Sequence, residues 1–349
     1  MAKYIGYVGT YTKGDSEGIY TFELDTEKAR LSEPKLAAKL DGPTYVNISK
    51  DNQMLYSVIK EGDRGGVAAY RVDAATGELS LVNNQISDGG SPCHVSVDSE
   101  KKYVVSANYH SGTIVAYQVN EDGSLNPATS FVTHEGRGPN EDRQERAHAH
   151  FAGFTPDEKY VVSVDLGIDK LVLYQLINGL LSEVTSHSFT PGSGPRHIEF
   201  HPNEKYAYVF SELSNEVAVL AYNPEPAEFQ EIQIISTLPE GFNENSQGSA
   251  IHVTKDGNFV YAANRGHDSI AVFQVNPSSG KLSFVERVST EGHWPRDFAF
   301  DPTEKFLIAS NQETGTLALF TRDIETGKLE LVQKDVPAPY AVCVKFLNY

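Results

Sequence analysis

An all-β fold, a ring of seven blades with four antiparallel strands in each, is predicted by three features of this 349-residue chain. A strand, turn, strand, loop, strand pattern recurs along its whole length. Turn signals of the same kind fall at matching places in each copy, and the two ends each carry a fragment of one further copy. Equivalent first-strand positions fall at Thr44, Cys93, His150, Arg196, Ser249, Arg296 and Tyr340, 44 to 57 residues apart, which is the period of propeller blades.

The elements follow in order. "KYIGYVGTYTKGDSEGIYTFELDTEKARLSEPK" at the N-terminus begins at a second strand. Six full repeats come next, from "PTYVNISKDNQMLYSVIKEGDRGGVAAYRVDAATGEL" to "PRDFAFDPTEKFLIASNQETGTLALFTRDIETGKL". Val, Ile, Tyr and Phe dominate their strands. "TPDEK", "HPNEK", "TKDGN" and "DPTEK" supply turns between first and second strands, and "ATGEL", "EDGSL", "SSGKL" and "ETGKL" turns between third and fourth. No segment carries helical periodicity over ten or more residues. The C-terminal "PYAVCVKFL" supplies one first strand and stops. One C-terminal strand plus three N-terminal strands complete the last blade, and this clasp removes free sheet edges. The expected unit is therefore one domain over 1–349.

Composition narrows the function. A formal charge of -18 opposes binding to nucleic acid phosphates or anionic lipid, so neither is an expected partner. The start "MAKYIGYVGTYT" lacks the apolar core of a signal peptide, and no long apolar run follows, so a cytoplasmic protein is expected. Cys93 and Cys343 are too few for a disulfide framework or a cysteine zinc site and read as buried thiols. A monomer is the default oligomeric state.

In a propeller the first strands line the central channel. Because first and second strands are antiparallel, the starts of the one and the ends of the other share a face of the ring. That mouth receives His150, Arg196 and Arg296 from strand starts, with His94 and His197 one residue further on, and His148 and Trp294 two residues before. Strand ends bring Asn108, Asp165, Glu212, Asn264, Arg265, Asn311 and Gln312. The asparagines and Asp165 also suit a plainer role, capping the turns they open. His94 and His197 suit packing between blades as well as chemistry, and Trp294 suits core as well as a stack on a sugar ring. Three guanidiniums at one opening need carboxylates or an anionic ligand, and Glu212 is a candidate partner. A structural ion network is the alternative.

Four blocks, "AHAHFAGFTPDEKYVVSVDLGIDKL", "GSGPRHIEFHPNEKYAYVFSEL", "FVYAANRGHDSIAVF" and "HWPRDFAFDPTEKFLIASNQ", resemble the seven-bladed lactonase family. That family includes the propeller-type 6-phosphogluconolactonases, of the cycloisomerase 2 type, and the related carboxymuconate cycloisomerases. The resemblance implies hydrolysis of a sugar δ-lactone, most often 6-phosphogluconolactone in the pentose phosphate pathway, with no metal or other cofactor required. It places the catalytic residues at His148, His150, Arg196, Glu212 and Arg265. Arg296, His197, Asp165, Asn108 and Trp294 are the substrate-binding candidates from the same mouth.

Such a hydrolysis needs an activated water, a stabilised oxyanion and a proton for the departing ring oxygen. His150 or His148 is the expected base, kept neutral by neighbouring arginines. Arg196 and Arg265 are expected to meet the oxyanion or the substrate's anion, with Arg296 as a second clamp. A small anionic lactone is thus the expected partner. Glu212 either orients an arginine or is the alternative base. Three further readings stand: a Ca²⁺ ringed by the Asx residues, which nearby arginines disfavour; a non-catalytic binding propeller; and a cycloisomerase. The polar insertion "HEGRGPNEDRQER" ahead of His148 has no role legible in the sequence.

Overall fold

A computed structural model describes residues 3–348 and contains strands and turns but no helix among them. Seven antiparallel sheets follow one another along the chain, each ordered from its first strand outward as in Ala149–Phe154, Val161–Asp165, Lys170–Ile177 and Leu180–Ser188. The last sheet is the predicted clasp: C-terminal Ala341–Phe346 pairs with N-terminal Lys3–Thr10 in the register Gly6 to Phe346 and Val8 to Val344. Its outer strand differs in detail from expectation. Two short segments, Arg30–Leu31 and Lys35–Lys39, share the edge of Gly18–Asp25 in place of one continuous strand. Pro34 lies between them and cannot donate to a sheet ladder.

The turn signals act as their composition suggests. In "TPDEK", "HPNEK" and "DPTEK" the N–H of Glu158, Glu204 and Glu304 donates to the carbonyl of Thr155, His201 and Asp301, each at 2.8 Å. Between third and fourth strands the glycine does a second job. Buried tyrosines of one blade donate to these glycine carbonyls in the next: Tyr7 to Gly77 (3.1 Å), Tyr56 to Gly123 (3.1 Å), Tyr208 to Gly280 (3.0 Å) and Tyr261 to Gly327. A side chain is excluded at Gly280, where φ is +68° and a Cβ would lie 2.4 Å from the Tyr206 ring. The turn thus stitches neighbouring blades together through a phenol that would otherwise be buried unpaired.

Apolar residues of facing sheets fill the wedge between blades, as where Val164 and Leu171 meet Val209 and Ala218. Each fully buried Val or Leu contributes on the order of 1.5–3 kcal/mol. This repeated packing holds the first strands around one channel.

Candidate active site

One backbone irregularity recurs at the channel mouth. Pairing between first and second strands slips after Ala149, Pro195, Gly248 and Pro295, so that His150, Arg196, Ser249 with Ala250, and Arg296 lie within bulges. A β-bulge breaks the alternation of side chains and re-aims the extra residue. The repeat positions that carry unusual side chains in the sequence are these bulge positions. On the other side of each pairing stand the strand ends: Asp165 opposite Ala149, Ser211 opposite Pro195, Arg265 opposite Gln247, Asn311 opposite Pro295.

A cavity of about 320 Å³ opens there, lined by Tyr11, Cys93, Tyr109, His110, Arg143, His150, Glu212, Gln247, Arg265, Trp294 and Arg296. Glu212 is its electrostatic centre. Oε2 accepts from Arg265 Nη2 at 2.6 Å and lies 3.1 Å from Arg196 Nε at ion-pair distance, while Oε1 accepts from Arg143 Nη2. Burial alone would raise this carboxyl, but Arg265, Arg196 and the groups around them outweigh it and hold Glu212 well below the usual carboxylate range. Glu212 is ionised and a poor proton acceptor.

The arginines divide by position. Arg196 sits beneath the cavity rather than in its wall, with Nη1 donating to the Ser249 carbonyl at 2.7 Å and lying 3.3 Å from His197 Nε2. Burial and the charges of Arg265 and Arg296 lower it to about 9, leaving it charged at neutral pH. Arg265 is fixed by the Gly248 carbonyl at 2.6 Å and lies 5.5 Å from the Trp294 ring. Arg296 lies 5.4 Å from the Tyr11 ring and reaches Gln312 Oε1 at 3.4 Å, with no carboxylate pair among the described residues.

The histidines separate as well. His150 is in the cavity wall, its Nδ1 buried without a partner. Burial, then the Arg196 charge, push it well below the ordinary imidazole value, so it is neutral at physiological pH. Both nitrogens of His148 are engaged: Nδ1 with the Tyr109 carbonyl at 2.7 Å and Nε2 with Glu145 Oε2 at 3.1 Å. Its ring stacks on Tyr109 at 4.1 Å, so His148 buttresses the wall from behind. His197 lies deeper in the channel, between His150 and His94, at ring distances of 5.2 and 5.5 Å.

Asn108 and Asp165 lie outside the cavity wall, and their polar atoms serve the backbone except for Asp165 Oδ2, which pairs with His134 Nδ1 at 2.7 Å. Asn108 Oδ1 accepts from the N–H of His110 (2.9 Å) and Ser111 (3.2 Å), and Asp165 Oδ1 from His148 (2.8 Å), Gly167 (2.9 Å) and Ile168 (3.2 Å). Asn264 and Asn311 are likewise committed, to Thr237 and to the Thr290 carbonyl. Trp294 does reach the cavity, in the left-handed region at φ +65°, a conformation costing about 1–3 kcal/mol. Its backbone N–H donates to Asp268 Oδ1 at 2.9 Å, which holds the strained residue in place.

Cys93 also lines the wall, and Tyr11, Tyr109, His110, Gln247 and Arg143 complete it without having been singled out by sequence. Arg143 comes from the polar insertion, which is a built loop. Gln144, fully buried, donates to the Leu166 carbonyl and Asp169 Oδ1 at 2.8 Å each, and Asn140 Oδ1 accepts the Arg143 N–H at 3.1 Å.

Residues 5–346 match the family described as lactonase, 7-bladed beta-propeller. The chain belongs to this lactonase family. It is 65% identical over 348 residues to the 6-phosphogluconolactonase of Bacillus subtilis, covering 100% of this chain and 99% of that one. Among solved structures, this lactonase superimposes on a Lactobacillus plantarum protein with TM-score 0.95 at 39% identity, covering 99% of this chain and 100% of the other. The periplasmic gluconolactonase of Pseudomonas aeruginosa matches at TM-score 0.92 and 31% identity, covering 99% of each.

Proposed function

We infer that this lactonase hydrolyses a sugar δ-lactone, 6-phospho-D-glucono-1,5-lactone first, to the open acid. The observation that carries the reading is the charge of the cavity: among the described residues its wall holds the guanidiniums of Arg143, Arg265 and Arg296 and one carboxylate, Glu212, which Arg196 pairs from beneath. Such a site seeks an anion. The identity to a 6-phosphogluconolactonase over the full length supports the same substrate.

In this reading the chain's own residues account for each step. His150 accepts a proton from water as its oxygen bonds to the lactone carbonyl carbon. Arg265, with Arg196 fixed behind it, stabilises the oxyanion, where planar donors in a water-poor cavity act strongly. The carbon to ring-oxygen bond then breaks, and the imidazolium of His150 returns its proton to the departing alkoxide. Glu212 holds the arginines in place. Arg296 and Trp294 flank the sugar, Trp294 offering a ring face. The whole chain acts as one domain, and the unpaired thiols of Cys93 and Cys343 fit a cytoplasmic enzyme.

A pH-stat comparison of 6-phosphogluconolactone with glucono-1,5-lactone, corrected for spontaneous hydrolysis, tests the reading. The phosphorylated ester is expected to show at least tenfold higher kcat/KM. Equal values, or catalysis of neither, would overturn it.

A further inference from the structure

We propose that Arg143 is the residue that selects a dianionic lactone over a neutral one, by leaving Glu212 Oε1 to grip the incoming anion. This rests on the anionic-lactone reading above and assigns its selectivity to a residue of the insertion.

The partners of Glu212 are not equivalent. Arg196 and Arg265 are also tied to backbone carbonyls, at Ser249 and Gly248, and their side chains are 3% and 4% exposed. Neither can follow a ligand without abandoning a buried acceptor. Arg143 is 31% exposed and meets Glu212 on the other oxygen, Oε1. Burial raises the hydroxyl of Tyr109, a second cavity group, and Arg143 works against that rise. Its backbone is pinned by Asn140 and by the buried Gln144 beside it, so the side chain can swing from a fixed root.

Charge gives the swing a direction. With three guanidiniums and one carboxylate in its wall, and Arg196 buried beneath, the cavity carries an excess of positive charge. A phosphate dianion accepts bidentate bonds from Arg143 at least as well as Oε1 does. The exchange replaces one charge-assisted contact by another and uncovers Oε1 for a substrate hydroxyl or water. A neutral lactone offers Arg143 nothing in return, so Oε1 stays capped. One residue thereby links recognition of the anion to opening of the site.

Two readouts test this. The ratio of kcat/KM for 6-phosphogluconolactone to that for glucono-1,5-lactone should fall at least tenfold in Arg143→Ala, through KM for the phosphorylated ester, and recover in part in Arg143→Lys. An unchanged ratio, or a loss equal on both substrates, overturns the proposal. Independently of turnover, the single tryptophan, Trp294, lines the cavity and reports binding by fluorescence. Inorganic phosphate should bind wild type at least tenfold more tightly than Arg143→Ala; equal affinities overturn the proposal even if wild type is a phospholactonase. Conversely, phosphate binding that needs Arg143 in a protein inactive on 6-phosphogluconolactone would remove that substrate and keep Arg143 as the anion grip.

Discussion

Glu212 Oε2 lies 3.1 Å from Arg196 Nε, and both side chains are only 3% exposed. A buried pair of this kind is held less by its own attraction than by the cost of leaving either charge alone. Glu212→Gln removes the one carboxylate among the described residues that faces Arg196, Arg265 and Arg143 together. Chemical denaturation should show a loss of about 3–5 kcal/mol, and turnover should drop with it. A variant as stable and active as wild type would mean that the arginines do not depend on Glu212.

His148→Ala should separate support from chemistry. Removing a ring that stacks on Tyr109 and bonds its carbonyl leaves a gap behind the cavity wall. We expect a destabilisation of about 2–4 kcal/mol, as for other large buried truncations, with a smaller effect on kcat than any change at His150. Comparing melting curves and kcat for the two variants checks the order.

Acid should weaken the folded state through the channel histidines. His94 is lowered to about 3 by burial and then the Lys345 charge, and His150 and His197 are also held well below the ordinary value by burial. Below an unfolded value of about 6.5 the unfolded chain takes up these protons and the folded one does not, so stability present above that pH declines as pH falls toward the folded values. His252 opposes the trend: burial lowers it, but Asp297 and Glu199 outweigh that and raise it. Its contribution is full below about 6.5 and fades as pH rises through its folded value. Three groups against one give a net loss on acidification. Denaturation midpoints across pH 7.5 to about 4.5 check the slope, which should flatten in His94→Gln.

Tyr208→Phe tests the stitching of blades. The Tyr208 hydroxyl donates to the Gly280 carbonyl at 3.0 Å in a buried setting. Deleting it leaves that carbonyl unpaired and should cost about 1–3 kcal/mol in urea denaturation. A neutral result would mean that water replaces the phenol.

The ring of blades was legible because its signals are local and repeated: turn residues at fixed offsets and an incomplete copy at each end. The same repetition located His150, Arg196 and Arg296, although the reason they converge, a bulge at each of those positions, is a matter of register that sequence does not display. Asn108 and Asp165 show the other side of this. Their place at strand exits suited both a turn cap and a ligand, and only the backbone N–H groups around them distinguish the two. Arg143 was illegible for a simple reason. It stands in an insertion with no counterpart in other blades, and its partner Glu212 is 69 residues away. The split edge of the clasp blade follows from one residue, Pro34, which lies between Arg30–Leu31 and Lys35–Lys39 and cannot donate to the ladder.

In the proposed mechanism His150 handles the proton of the attacking water. Single-turnover and steady-state hydrolysis of 6-phosphogluconolactone by His150→Asn tests it most directly, with Trp294 fluorescence confirming that phosphate still binds. The chemical step should slow by about 10²–10⁴-fold while phosphate affinity changes little. A chemical step at the wild-type rate with intact binding would contradict the account.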